Sequence, residues 1–176
     1  MKRFFGILAG IVVLGLFSPS CTIKLNGSTI PETIKTINVE YFENNAPLVV
    51  NYLSQNFTEA LKSRIRSQTS LSIVQNGEGN AHMSGSITGY SIEPVSVQAT
   101  NNNVAPIAGA ERLTITVNVV FKTNTNAIDR KALDFTQSFS EHQDFTGDIS
   151  TQEQTLTNAI IKQLTDDIFN KAFANW

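Results

Sequence analysis

The chain has 176 residues, with 13 basic against 15 acidic side chains and a formal charge of −2. That length holds one domain with a proper core, and the charge balance is not that of a nucleic-acid-binding protein. A single cysteine excludes an internal disulfide.

Met1-Lys2-Arg3 supply a cationic start, and Phe4 to Phe17 is an uncharged apolar stretch with the length of a signal-peptide core rather than of a membrane span. Ser18 and Ser20 then lead into Cys21. A cysteine at that junction fits a bacterial lipoprotein, in which the thiolate takes a diacylglyceryl group, cleavage occurs in front of it and the new N-terminus is acylated. Two or three such chains anchor a protein stably, at about 0.8 kcal/mol per buried methylene. Ser18 and Pro19 stand where the usual recognition sequence begins with an aliphatic residue, and ordinary secretion with a free thiol is the plainer alternative. The expected organisation is a signal peptide over 1–20, a lipidated tether over 21–28 and a single domain over 29–176. Without residues 1–20 the chain carries eleven basic against fifteen acidic residues, a formal charge of −4. No later apolar run approaches the roughly 20 residues that cross a bilayer, so the lipid on Cys21 is the one expected membrane attachment.

In the domain, Ile37, Val39 and Tyr41 alternate with polar neighbours and predict a strand over about Thr33 to Phe42. After the turn-like Asn44-Asn45-Ala46-Pro47, residues Val49, Leu53, Phe57, Leu61 and Ile65 recur at intervals of four. They predict an amphipathic helix over Leu48 to Ser67, with Lys62, Arg64 and Arg66 near the end where cations favour the helix dipole. A brief strand at Leu71 to Val74 and the turn Asn76-Gly77-Glu78-Gly79 come next. Three longer strands are predicted over about Ala81 to Gln98, Arg112 to Thr123 and Lys131 to Phe139. Pro94 implies a bulge or an edge position in the first of them. Ser150-Thr151-Gln152-Glu153 reads as a capping box, and Leu156, Ile160, Leu164 and Ile168 form the stripe of a closing helix. The expected fold is α+β, a two-layer sandwich in the order β-α-β-β-β-β-α. Two helices pack on one face of a mostly antiparallel sheet of four to five strands.

Little in this chain speaks for catalysis. His82 and His142 lack metal-site spacing, and no nucleophile-elbow or phosphate-loop pattern occurs. Asp166 and Asp167 are neighbours on a helix, point about 100° apart and cannot face each other as an acid and a base. No metal or other cofactor is expected beyond the covalent lipid on Cys21, and the protein is not expected to be an enzyme. Two other features stand out. The uncharged connection Ala99 to Ala110 carries Val104, Ala105, Pro106 and Ile107 at its centre, which reads equally as a docking surface or as a disordered loop with incidental apolar residues. Arg112, Lys122, Arg130 and Lys131 could meet the phosphates of an anionic lipid. Scattered charges on a solvated sheet face, beside Glu111 and Asp129, are the commoner arrangement.

The order of several segments resembles the lipopolysaccharide-assembly lipoprotein family LptE. They are Ser28-Thr29-Ile30-Pro31-Glu32-Thr33-Ile34-Lys35-Thr36-Ile37, Phe42-Glu43-Asn44-Asn45-Ala46, Gly89-Tyr90-Ser91-Ile92-Glu93-Pro94, Arg112-Leu113-Thr114-Ile115-Thr116-Val117 and the C-terminal Asp167-Ile168-Phe169-Asn170-Lys171-Ala172-Phe173-Ala174-Asn175-Trp176. The resemblance implies two helices on a four-stranded sheet and a lipid anchor in the inner leaflet of the outer membrane, facing the periplasm. It implies a plug role inside the β-barrel LptD, help in assembling that barrel and direct binding of lipopolysaccharide. Thr22-Ile23-Lys24, without an acidic residue, fits that location. Under the resemblance the segment around Val104, Pro106 and Ile107 is one barrel contact. A lipoprotein scaffold for another envelope or secretion complex is the rival expectation, and a periplasmic hydrolase would need a convergent polar pocket that the sequence does not announce.

Overall fold

Leu113, Ile115, Val117, Val119 and Phe121 alternate along one strand, and all five are buried. The sheet is assembled around them. The computed structural model describes residues 33–75, 79–95, 109–124 and 133–173. Cys21, the signal peptide and tether, the apolar connection with Val104, Pro106 and Ile107, and Arg130 and Lys131 lie outside the described residues. The elements run β1 (Thr36–Val39), β2 (Glu43–Asn44), α1 (Leu53–Gln68), β3 (Ser72–Val74), β4 (Ala81–Pro94), β5 (Ala110–Thr123), β6 (Phe135–Thr146), a 3-10 turn (Ile149–Thr151) and α2 (Glu153–Phe173).

The strands form one six-stranded sheet in the order β3-β1-β4-β5-β6, with β2 also paired to β4. β4, β5 and β6 are antiparallel and long. The short strands are parallel: β1 pairs with β3 and with β4, and β2 pairs with β4. The sheet is thus mixed, because α1 carries the chain from β1 back to the start of β3, and such a crossover makes parallel neighbours. Leu53, Phe57, Leu61 and Ile65 of α1 and Ile160, Leu164, Ile168 and Phe173 of α2 join the strands in one apolar cluster on one face of the sheet. Phe121 centres its lower part, with ring centroids 5.7 Å from both Phe135 and Phe173. Arg64 ties the two helices together: its Nε lies 3.1 Å from Asp166 Oδ1 in an ion pair, and its guanidinium covers the Phe169 ring at 5.3 Å.

Three local expectations change, and a fourth is resolved. The first strand breaks after Val39, and its parity flips: Tyr41 is 56% exposed while Phe42 is buried, its N–H donating to Thr58 Oγ1 at 3.1 Å. α1 begins at Leu53 rather than Leu48, leaving Leu48 and Val49 exposed. The Ala46 N–H donates to Asn44 Oδ1 at 3.0 Å, and the β-branched Val49-Val50 disfavours extending the helix backwards. The capping box is not made. Asp148 accepts from the Ser150 N–H at 2.9 Å, a bond that lowers the Asp148 pKa, and caps a 3-10 turn instead. Glu153 is engaged elsewhere, accepting from the Tyr90 hydroxyl at 2.6 Å. Finally, the bulge in β4 falls between Ile87 and Gly89, and Pro94 takes the edge position instead, in a stretch paired with β5 alone among the described residues. Thr88 is the extra residue, so Met83 and Ile87 face the core before it and Tyr90 after it.

Candidate functional site

Among the described residues, the side of the sheet turned away from the helices is half-buried to exposed. Register and alternation place Ser84, Ser86 and Ser91 of β4, Thr114, Thr116 and Asn118 of β5, and Ser138 and Ser140 of β6 on that side. The hydroxyls bond to one another and to the backbone, as Thr116 Oγ1 does to Ser140 Oγ at 3.0 Å. Such a surface suits hydrated contact rather than burial against apolar groups.

Of the four cations expected to hold phosphate, the structure describes two, and it does not bring them together. Arg112 lies opposite Asp144 and donates twice to it, through Nε to Oδ1 at 2.6 Å and Nη2 to Oδ2 at 2.9 Å. That fork holds the Asp144 carboxyl below its usual range and the Arg112 guanidinium above its own. Lys122 is ten positions further along β5, roughly 33 Å away at about 3.3 Å per residue. Across the strand from Lys122 sits His82, whose Nε2 is 3.1 Å from Glu40 Oε1. His142 faces Thr114 on the other neighbouring strand. Among the described residues no three His, Cys, Asp or Glu side chains are grouped to hold a metal.

A different pair of cations does converge. The C-terminal ends of β1 and β3 and the last turns of α1 enclose an open groove of about 780 Å³. Lys62 and Arg66, one turn apart on α1, line one side, and Asn38 to Tyr41 and Ile73 to Gln75 line the rest. Sequence reasoning had placed Lys62, Arg64 and Arg66 together at the helix end. The structure separates them: Arg64 turns toward α2, while Lys62 and Arg66 turn to the groove. The i, i+4 spacing of Lys62 and Arg66 was the available signal.

The lipopolysaccharide-assembly family LptE matches residues 34–172. The chain belongs to that family. LptE proteins are assembly lipoproteins rather than enzymes, and this LptE chain shares their α+β fold. Three solved structures illustrate it. A hypothetical protein from Chlamydia trachomatis, CT253, aligns with a TM-score of 0.55 at 8% identity, over 81% of this chain and 98% of that one. Rare lipoprotein B from Shewanella oneidensis aligns with a TM-score of 0.51 at 10% identity, over 77% and 91%. Protein XCC0632 from Xanthomonas campestris gives 0.51 at 8%, over 81% and 88%. At such identities the likeness concerns the fold alone. No curated protein matches the chain.

Proposed function

We propose that the protein is an outer-membrane lipoprotein, acylated at Cys21 and facing the periplasm. In this reading it plugs an LptD-type β-barrel, helps that barrel assemble for lipopolysaccharide insertion into the outer leaflet, and binds lipopolysaccharide. The observation that carries the reading is the family match, which spans every described strand and all but the last residue of α2.

Physical features support it. A barrel lumen is polar and wet, and the sheet face turned away from the helices offers it a surface of Ser, Thr and Asn side chains. The connection between β4 and β5, with Val104, Pro106 and Ile107, leaves the sheet at the Pro94 and Glu111 end, whereas the chain enters β1 at the level of Ala81. In this reading the connection is a barrel contact at the pole away from the tether. Nothing in the role needs a bound cofactor, since a plug acts by shape, charge and exclusion.

Affinity purification of the tagged, lipidated protein from outer membranes tests the reading, with mass spectrometry and gels run with and without heating. A large barrel protein in near-equal amount is the expected companion. Val104→Asp combined with Ile107→Asp is expected to weaken that association about tenfold, the loss of one well-packed contact cluster. Recovery of several envelope proteins and no large barrel would replace the plug by a scaffold for another machine.

A further inference from the structure

We infer that the groove at the ends of β1 and β3 is a binding site for a phosphorylated sugar, with Lys62 and Arg66 holding the phosphate and Tyr41 packing against the sugar ring. The inference rests on the reading that the protein handles lipopolysaccharide, whose headgroup is a phosphorylated saccharide; it assigns the place where that headgroup is held.

Three observations lead there. The first is position. β1, α1 and β3 form a parallel strand-helix-strand unit, and the groove lies outside the carboxyl ends of its two strands. That is where open parallel units leave room for ligands. At about 780 Å³ it has the size of a small-ligand site.

The second is charge. Of the three described arginines, Arg112 is spent on Asp144 and Arg64 on Asp166, and Arg66 alone has no acidic partner among the described residues. Lys62 has a single long contact, 3.4 Å to Glu59 within one exposed turn, which is worth little. Glu40 also lines the groove, but its carboxylate is engaged with His82. Among the described residues, two cations one turn apart therefore face a cavity lined by one carboxylate that already has a partner. The end of α1 carries only about half a negative charge from the helix dipole, which two full positive charges outweigh.

The third is Tyr41. A large aromatic side chain left 56% exposed on the wall of a polar groove is a flat platform that the described residues leave more than half uncovered. Its hydroxyl end and apolar ring suit a ligand that is polar at its edges and apolar on its faces, which is the character of a pyranose.

The test uses the purified, lipidated full chain and three ligands: lipopolysaccharide, the same preparation after enzymatic removal of its phosphates, and phosphatidylglycerol vesicles. Lys62→Ala with Arg66→Ala is expected to weaken lipopolysaccharide binding at least tenfold, the scale of one or two charge-assisted hydrogen bonds. Removing the phosphates is expected to weaken binding to the unaltered protein by the same factor and to cost the double variant nothing more. Tyr41→Ala is expected to weaken both forms of the glycolipid. A Lys35→Ala, Lys162→Ala variant keeps the same loss of charge outside the groove and is expected to bind as the parent does. Unaltered binding by the Lys62, Arg66 variant would overturn the inference. So would a further loss on dephosphorylation in that variant, or vesicles that compete as well as the glycolipid, since a site for any phosphate would not need the sugar platform. Barrel recovery is measured on the same samples. Recovery with no groove binding refutes the groove and leaves the plug standing, and groove binding with no barrel does the reverse.

Discussion

Tyr90 is only 4% exposed, and its hydroxyl donates to Glu153 at 2.6 Å. Burial first, and then the neighbouring carboxylate, push its pKa well above the ordinary 10.0, because a phenolate there would be desolvated and repelled. A group whose pKa is raised by folding stabilises the fold fully below its unfolded value and loses that contribution as pH climbs toward the folded one. Urea unfolding is therefore expected to show stability falling above about pH 10. Tyr90→Phe is expected to cost about 1.5–3 kcal/mol near pH 7, the value of a hydrogen bond to a charged group, and to flatten the alkaline decline. An equal decline in the variant would assign the alkaline sensitivity to another group. This bond was not legible in the sequence, since Tyr90 and Glu153 lie 63 positions apart. The sequence pattern assigned Glu153 to a capping box, and the stronger claim on its carboxylate came from the tertiary structure. The candidate site was hidden in the same way. Arg112 looked available until β6 brought Asp144 opposite it, whereas only the i, i+4 spacing to Lys62 distinguished Arg66 from Arg64.

The elements themselves were more legible. β5 follows its alternation from end to end because both neighbours are long strands and one of its faces is the core. β6 runs to Thr146, past the expected end at Phe139. Glu141 and Gln143 occupy positions on the helix side there, which breaks the apolar pattern, yet the ladder with β5 continues through Thr146. Gln143 is satisfied by Gln163 at 3.0 Å. Of the two meanings Pro94 offered, the edge position is the one that holds among the described residues, and the bulge lies at Thr88, where the marker is parity. Thr88 is the unpaired extra residue, so deleting it would leave Ile87 inward, Gly89 outward and Tyr90 inward in the same register with β5, whereas deleting Thr88 and Gly89 together would turn Tyr90 to the other face. Deletion of Thr88 alone is expected to keep cooperative unfolding, and Thr88→Ala is expected to cost less than about 1 kcal/mol, while the double deletion is expected to abolish the cooperative transition. Calorimetry on the variants distinguishes them, and a cooperative transition in the double deletion would mean that β4 tolerates a one-residue slip. Gly85, lower on the strand, is fixed differently: a Cβ there would collide with the Asn118 carbonyl and the Phe42 ring.

At the scale of the whole molecule, the apolar cluster from Ile34 to Phe173 is made by the strands and helices themselves. The proposed lipid on Cys21 is read as an attachment to that domain. Cys21→Ser is expected to move the protein from the membrane to the soluble periplasmic fraction with its melting temperature unchanged, as cell fractionation and calorimetry would record. Retention in the membrane fraction would remove the acyl anchor from the account. The sequence conveyed the two layers and their order because helix and strand periods are local. The mixed sheet was not conveyed, because the partners of the two- to four-residue strands depend on where α1 returns the chain.

The length of the central strands has one more implication. β4 holds fourteen residues, a rise of roughly 45 Å, against a bilayer hydrocarbon thickness of about 30 Å. Standing upright in the proposed barrel, the domain is a ruler longer than the layer it crosses. With its tethered pole held at the inner leaflet, the Pro94 end of β4 would stand past the outer edge of the hydrocarbon. One rigid sheet would then touch both surfaces of the membrane at once, and a label placed at either pole would report on a different side.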